Sequence, residues 1–317
     1  ICFHSISQDM SAAADRDEKQ CVRVREPAQL SWLQQLVSKC LTSGEMPKHV
    51  GFIMDGNRRF AAKLKQPKIE GHVQGSERLF RVLDWCHQLG IPEVTVYAFS
   101  IENYKRSEQE VAGLMKLARE KLEELLKSRS ELEELECQFR VIGNLSLVPA
   151  DLRESMALLE EKTKNYSKGR LNIAFAYTGR DELLRATRRI ASGVSDGVLS
   201  SSDISYELVT QCLDTADSPP VDLLIRTSGE VRLSDFLLWQ SSFACLLFVK
   251  CLWPDFTFWD LLGAIFHYQV NYPELQAKRQ FLVRLTERDT NIPDESKARR
   301  RAFLSSDHYL DSVPLNV

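Results

Sequence analysis

Apolar runs and helical stretches alternate along this sequence, which predicts an α/β fold: a mainly parallel six-stranded sheet flanked by helices. Three observations carry that reading. Short runs rich in β-branched and aromatic residues recur, "VGFIM", "VTVYAFS", "FRVIG", "LNIAFAY", "VDLLIRT" and "CLLFV", with helical spacing between them. Within a run the apolar residues are consecutive rather than alternating, as in strands covered on both faces. The length of 317 residues, 44% of them hydrophobic and 27% charged, suits one large domain with tails.

Taken in order, residues 1–29 read as a disordered leader, polar and without an apolar block behind a charged start. Residues 30–45 form an amphipathic helix in which Trp32, Leu33, Leu36, Val37 and Leu41 share a stripe; the pattern leaves open whether that stripe faces a core, a partner or a membrane surface. The six runs fall within residues 46–273, a single catalytic domain. Inside it, Glu108 to Glu136 carries one long helical pattern with Val111, Leu114, Met115, Ala118, Leu122, Leu125 and Leu126 on one side, the ordinary signature of a helix packed on a sheet. Residues 274–317 form a charged helical segment and tail, whose "KARRRAF" reads as a solvated helix face.

Composition excludes several function classes. A formal net charge of -3 lacks the basic footprint of nucleic-acid binding, so any anion site must be local. Eight cysteines (Cys2, Cys21, Cys40, Cys86, Cys137, Cys212, Cys245 and Cys251) form no C-x-x-C pair and several lie in apolar runs, which suggests buried reduced thiols rather than a disulfide framework or zinc site. The most hydrophobic stretch, "FLLWQSSFACLLFV", is too short to span a bilayer, is interrupted by Gln240, Ser241 and Ser242, and reads as core.

In open parallel sheets ligands bind beyond the carboxyl ends of the strands. Beyond the first run comes Asp55-Gly56-Asn57-Arg58-Arg59, beyond the second Ser100 to Arg106, and at the end of the fifth Arg226 to Ser234. Guanidiniums gathered on one rim repel one another unless an anion joins them, and their planar fork matches phosphate oxygens. A helix starting near Asn57 adds backbone N–H groups, and Gly56 lets the main chain approach closely. Asp55 beside phosphates then requires a bridging cation, which points to Mg2+. No G-x-x-x-x-G-K-[ST] or G-x-G-x-x-G is present, and Asn57 replaces the second acid of a D-x-D phosphatase pair. A phosphohydrolase at this rim and a non-catalytic partner subunit with the same fold are the rival readings.

The segments "HVGFIMDGNRRFA", "EGHVQG", "VTVYAFSIENYKRS" with "EVAGLM", "RVIGN", "LNIAFAYTGR" and "LLIRTSGEVRLSDFLLWQ" with "LWPDF" resemble the cis-prenyltransferases, in order and over Pro47 to His267. The resemblance implies repeated condensation of isopentenyl diphosphate onto an allylic diphosphate such as farnesyl diphosphate. The product is a long polyprenyl diphosphate, the precursor of dolichol for protein glycosylation, which needs an apolar tunnel. By motif position Asp55 would hold Mg2+, and Gly56, Asn57, Arg58 and Arg59 would cradle the allylic diphosphate with His72 nearby. Phe60, Phe99, Ser100 and Asn103 would line the reacting ends, Asn103 assisting proton removal. Arg106, Arg226, Arg232 and Ser234 would bind isopentenyl diphosphate. The stripe from Val111 to Leu126 becomes a candidate tunnel wall, with Ala112, Gly113 and Ala118 leaving room.

Three departures from the family pattern matter. Lys68 stands where many members have arginine, keeping the charge but losing the fork. Cys245 occupies a position where homodimeric bacterial members carry a metal-site glutamate. The segment after His267 offers no R-x-G, which in heteromeric members comes from a Nogo-B-receptor-like partner; the resemblance therefore implies such a subunit. It also implies a peripheral enzyme on the cytosolic face of the endoplasmic reticulum membrane, where an apolar product is released.

Overall fold

The computed structural model describes residues 29–128, 132, 133, 135–287 and 293–306, so the leader expected over residues 1–29 lies almost wholly outside the described residues. Six strands form one sheet in the order β3-β4-β2-β1-β5-β6: β1 (His49–Ile53), β2 (Glu93–Ser100), β3 (Cys137–Ile142), β4 (Gly169–Tyr177), β5 (Leu223–Arg226) and β6 (Cys245–Phe248). Every pairing is parallel. The chain builds outward from β1 first through β2 and later, on the other side, through β5, so the order reverses between β1 and β5. That is where an open α/β sheet leaves a crevice at its carboxyl rim.

Burial follows the two-residue period of the strands. Val50, Phe52, Val94, Val96, Leu171 and Ile225 enter the larger core. They pack there against α3 (Lys68–Gln88), α4 (Glu108–Lys127), α5 (Ala150–Thr163) and the front of α8 (Phe258–Glu287). Ile53, Ala174 and Leu224 point the other way, into a smaller core with Phe236 and Leu237. Between these blocks run α1 (Trp32–Thr42), α2 (Asn57–Lys63), α6 (Gly179–Ser195) and α7 (Tyr206–Gln211), and α9 (Asp294–Ser305) closes the described chain.

Some expectations change. The long helical pattern breaks at Lys127, where Ser128 turns the backbone to ψ 80 as the C-cap of α4, and helix is found again at Leu132, Glu133 and Leu135. Pro273 does not mark a boundary: it sits inside the continuous helix Phe258–Glu287, at the cost of one backbone hydrogen bond. The basic cluster on α9 is a solvated face only in part, at Lys297 and Arg301. Arg300 is buried, Arg299 forks onto both oxygens of the buried Asp203 at 2.7 and 2.8 Å, and Phe303 fills a pocket between Ile190, Leu199 and Leu208. At α1, Leu30, Val37 and Leu41 touch the main core while Trp32, Leu33 and Leu36 stay exposed. Among the described residues no helix is long and apolar enough to cross a membrane.

Candidate active site

Four connections deliver side chains to the carboxyl rim, each shaped by a local sequence signal. After β1, Gly56 takes φ 109, and a Cβ there would lie 2.9 Å from Leu252, so only glycine turns the chain into α2. That helix has seven residues, so its dipole adds little and the anion-binding capacity of the first turn rests on Arg58 and Arg59. Gly71 on α3 lets the two helices touch, since a Cβ would fall 2.0 Å from the Asn57 carbonyl oxygen. After β2, register shifts around Phe99 re-aim Phe99 and Ser100. Ser100 then opens a short turn as a capping box: its Oγ accepts from Glu102 N, and Asn103 Oδ1 accepts from Ser100 N at 3.1 Å.

A cavity of about 1100 Å³ opens here, larger than most small-molecule pockets. Asp55, Gly56, Asn57, Arg58, Arg59, Lys68, His72, Phe99, Ser100, Asn103, Arg106, Arg226, Arg232 and Ser234 all line it. Phe60 does not: Arg58, Arg59 and Ala62 share the face of α2 that lines the cavity, and helical rotation turns Phe60 away from it. The inner end is apolar, with Leu122, Leu125, Phe139, Met156, Leu171 and Phe175. The α4 wall is built by Leu114, Leu117 and Ala118 together with Leu122 and Leu125, so Val111, Ala112 and Gly113 are not part of it.

Arg226 is the hub of the rim. Its Nη2 donates to Asp55 Oδ2 at 2.8 Å, and its Nη1 donates to Ser234 Oγ at 2.7 Å and to Arg232 O at 2.5 Å. Asp55 Oδ1 accepts from Gly56 N at 2.7 Å. Burial by itself would raise the Asp55 carboxyl, but the Arg226 guanidinium outweighs it and holds the group below the usual range, so Asp55 is ionised at neutral pH. His72 behaves oppositely. Burial first, then the Arg106 charge, push it down to about 4, leaving a neutral imidazole whose buried Nε2 has no partner.

Two carboxylates that the sequence reading did not single out hold the rest of the rim. Glu110 Oε1 accepts from Arg106 Nη1 at 3.0 Å and lies 3.6 Å from Arg58 Nη1, while its Oε2 is 3.3 Å from Lys68 Nζ. Glu230 pairs with Arg232 and stands 3.7 Å from Arg59 Nη2. Glu230 lay in view inside "RTSGEVR"; Glu110 lies 42 positions from Lys68, and only the fold pairs them. Arg180, held by Asp235 at 2.8 Å, also lines the cavity from the "AYTGR" segment.

Among the described residues no group of three or more His, Cys, Asp or Glu could bind a metal alone. The donors fit a different arrangement. Asp55 is ionised and lines the cavity with lone pairs beyond those that accept from Arg226 and Gly56. One carboxylate completed by substrate oxygens is the way Mg2+ commonly binds phosphates.

Comparison with known proteins agrees with this arrangement. The prenyltransferase family model described as "Putative undecaprenyl diphosphate synthase" matches residues 53–275. The chain is 52% identical to the human "Dehydrodolichyl diphosphate synthase complex subunit DHDDS" over 251 residues, 79% of this chain and 75% of the human one. It is 43% identical to the Pyrococcus horikoshii "Tritrans,polycis-undecaprenyl-diphosphate synthase (geranylgeranyl-diphosphate specific)", covering 77% of this chain and 92% of the archaeal one. Among solved structures, lavandulyl diphosphate synthase from Lavandula x intermedia, in complex with dimethylallyl diphosphate, superposes with a TM-score of 0.65 at 35% identity, over 71% of this chain and 95% of that one. With residues 53–275 matched and relatives above the level at which family assignment is secure, the chain belongs to the cis-prenyltransferase family.

Proposed function

We propose that the chain condenses isopentenyl diphosphate repeatedly onto an allylic diphosphate, with farnesyl diphosphate as starter and Mg2+ as cofactor, to make the long-chain dehydrodolichyl diphosphate from which dolichol is formed. The observation that carries this reading is the cavity itself: a rim of guanidiniums around one ionised carboxylate opens into an apolar interior. Such a site suits a substrate charged at one end and oily along the rest.

The rim offers two anion positions. Arg58, Lys68, Arg106 and His72 surround one, read as the allylic position, so Arg106 serves there rather than on the isopentenyl side where the resemblance put it. Arg59 and Arg232 flank the other, the isopentenyl position, so Arg59 likewise changes sides. In the reaction the allylic C–O bond breaks and its electrons leave with diphosphate. The isopentenyl double bond supplies the pair for the new C–C bond, and a proton is lost as the double bond re-forms. Guanidiniums aimed at the departing oxygens stabilise charge that exists only as the bond breaks, so they lower the barrier rather than merely tighten binding. Asp55 would hold the Mg2+, which when bound would supply further neutralisation of the same charge.

His72, neutral, offers a ring N–H to a diphosphate oxygen without adding charge. Asn103 has one oxygen lone pair committed to Ser100 N, so its contribution to proton removal is to position the acceptor through Nδ2; an amide is not basic enough to take the proton itself. A diphosphate oxygen is the stronger acceptor at this rim. The apolar interior, walled by α4 and closed by Phe139 and Met156, serves as the tunnel for the growing chain.

The chain works with a Nogo-B-receptor-like subunit that supplies the R-x-G element. Two features support a partner on the β6 side: β6 is an edge strand with Leu246 exposed, and α8 leaves Trp259, Phe266, Val270 and Phe281 exposed. The relatives from human and mouse are both named as subunits of a complex. The enzyme acts peripherally at the cytosolic face of the endoplasmic reticulum membrane, where Trp32, Leu33 and Leu36 present an apolar surface for contact. Incubating the chain, captured from host membranes, with labelled isopentenyl diphosphate and farnesyl diphosphate tests the activity. Long lipid-soluble products are expected; release of phosphate without them would establish the phosphohydrolase instead.

A further inference from the structure

Behind the rim lies a buried polar cluster that no step above uses. Glu182 on α6 is 1% exposed. It accepts from Tyr177 Oη at 2.6 Å, from the Asp214 amide at 3.0 Å, and from Gln240 Nε2 at 3.1 and 3.0 Å on its two oxygens. One carboxylate therefore ties together the end of β4, the turn at Asp214 and the segment that begins at Ser234.

That segment has cause to need holding. Ser234, Asp235 and Leu237 all occupy the left-handed region, at φ 50, 63 and 46, which side chains other than glycine resist. It is gripped from the α6 side at every point. Gly179 N donates to Asp235 O at 2.7 Å, Arg180 N and Nε donate to the Asp235 carboxylate, and Tyr97 Oη donates to Ser234 O at 3.2 Å. Phe236 stacks on Tyr97 and meets the Tyr177 ring edge-on. The front of the segment is the functional face, where Ser234 Oγ and Arg232 O receive Arg226.

We propose that Glu182 is a positioning residue for the isopentenyl diphosphate half of the site, acting through Gln240 and Tyr177 on the strained Ser234–Gln240 turn and touching no substrate itself. This rests on the reading of Arg226, Arg232 and Ser234 as that half. Three donors point at Glu182, so the ionised form is the one that satisfies the cluster. Burial, then the charge of Asp214, raise the carboxyl to about 7. The charged group facing it is Asp214, itself forked onto Arg185, which Asp181 also binds, and the Tyr177 phenol is raised in turn by burial and Glu182. As pH falls through neutrality Glu182 takes a proton, one oxygen stops accepting, and the turn loosens.

The test measures KM for each substrate with the full chain captured from host membranes together with its bound partners. Glu182→Gln adds a fourth donor facing the three already there and should raise KM for isopentenyl diphosphate about tenfold, with KM for the allylic diphosphate changed less than about twofold. Glu182→Asp, which keeps the carboxylate, should recover most of the loss. Tyr177→Phe removes one donor without disturbing the ring and should raise the same KM by about threefold, so the idea stays testable should Glu182→Gln fold poorly. For the unaltered chain, KM for isopentenyl diphosphate should climb between about pH 8 and about pH 6 more steeply than in Glu182→Gln, where this titration is gone. Both KM values rising together, or identical pH profiles, would overturn the proposal. Arg232→Ala separates the two levels. If it leaves KM for isopentenyl diphosphate unchanged, the assignment of this half fails; if it raises that KM while the Glu182 variants do not, only the role of Glu182 falls.

Discussion

The sheet has two rims built from the same chemistry and put to opposite uses. At the amino rim Asp222 receives Arg279 at 2.6 Å together with the amides of Lys48 and His49. At the carboxyl rim Asp55 receives Arg226 at 2.8 Å together with the amide of Gly56. The amino rim goes on to spend its donors internally. His49 Nδ1 donates to Pro219 O, its Nε2 accepts from Thr95, and Asn172 Nδ2 reaches Glu93 at 2.7 Å and Thr95 at 3.0 Å. His49, Thr95 and Asn172 are completely buried. Burial, opposed by the Glu93 charge, keeps His49 below its ordinary value, so it is a neutral fixture of the core. At the carboxyl rim the side chains of Arg58, Arg59 and Arg232 are half exposed or more, and apart from the Ser228 hydroxyl beside Arg59 the side chains they pair with are acids that a stronger anion can displace. A carboxylate–guanidinium pair is thus structural or functional according to whether its neighbours retain free hydrogen-bonding capacity.

The sharpest way to break this comparison is at Asp55. Asp55→Asn keeps one acceptor for Arg226 and so preserves the hub, but removes the charge that balances a cation and diphosphate. Turnover should fall about a thousandfold, about 4 kcal/mol of transition-state stabilisation, while the melting temperature shifts little. Turnover within tenfold of normal would remove the assignment of Asp55 as metal ligand.

The amino rim should respond the other way. Asn172→Ala withdraws the donor from buried Glu93 and Thr95, leaving a carboxylate with its hydrogen bond unmade, and should cost about 2–3 kcal/mol of stability in a denaturant titration. Turnover per folded molecule should be unchanged. A loss of turnover without a loss of stability would mean the two rims are not independent.

How much of this was legible in the residues differs between the rims as well. All six apolar runs became strands, because strands of a parallel sheet covered by helices announce themselves by uninterrupted apolar sequence, even at β3 and β6, where the edge leaves them only partly buried. The carboxyl-rim residues were legible because they follow those runs directly, and chain direction alone brings them together. Of the acids that hold the rim in the free protein, Glu230 was in view but Glu110 was not: it reaches Lys68 and Arg58 only after α3 and α4 pack. The same limit hid the packing of α9, since "KARRRAF" carries the charges of an exposed helix, and Asp203, which receives Arg299, lies nearly a hundred residues away. Phe60 was misplaced by adjacency, its sequence neighbours facing the cavity while the helical turn carried it past.

The finest test concerns those displaced acids. In the free protein Glu110 occupies the centre of Arg58, Lys68 and Arg106, the position a diphosphate would take, and those cations hold its carboxyl below the usual range against the effect of its burial. A diphosphate arriving there must replace it, so part of the attraction between rim and substrate is spent separating existing pairs. Glu110→Gln weakens those pairs without emptying the space. The allylic diphosphate should then bind more tightly, with KM lowered about threefold, under 1 kcal/mol, as expected where Lys68 and Arg58 are largely exposed and screened. Product diphosphate should be released more slowly for the same reason, so steady-state turnover drops while the rate of a single turnover holds. If KM rises instead, Glu110 is ordering the three cations for the substrate, and the carboxyl rim resembles the amino rim more than its exposure suggests.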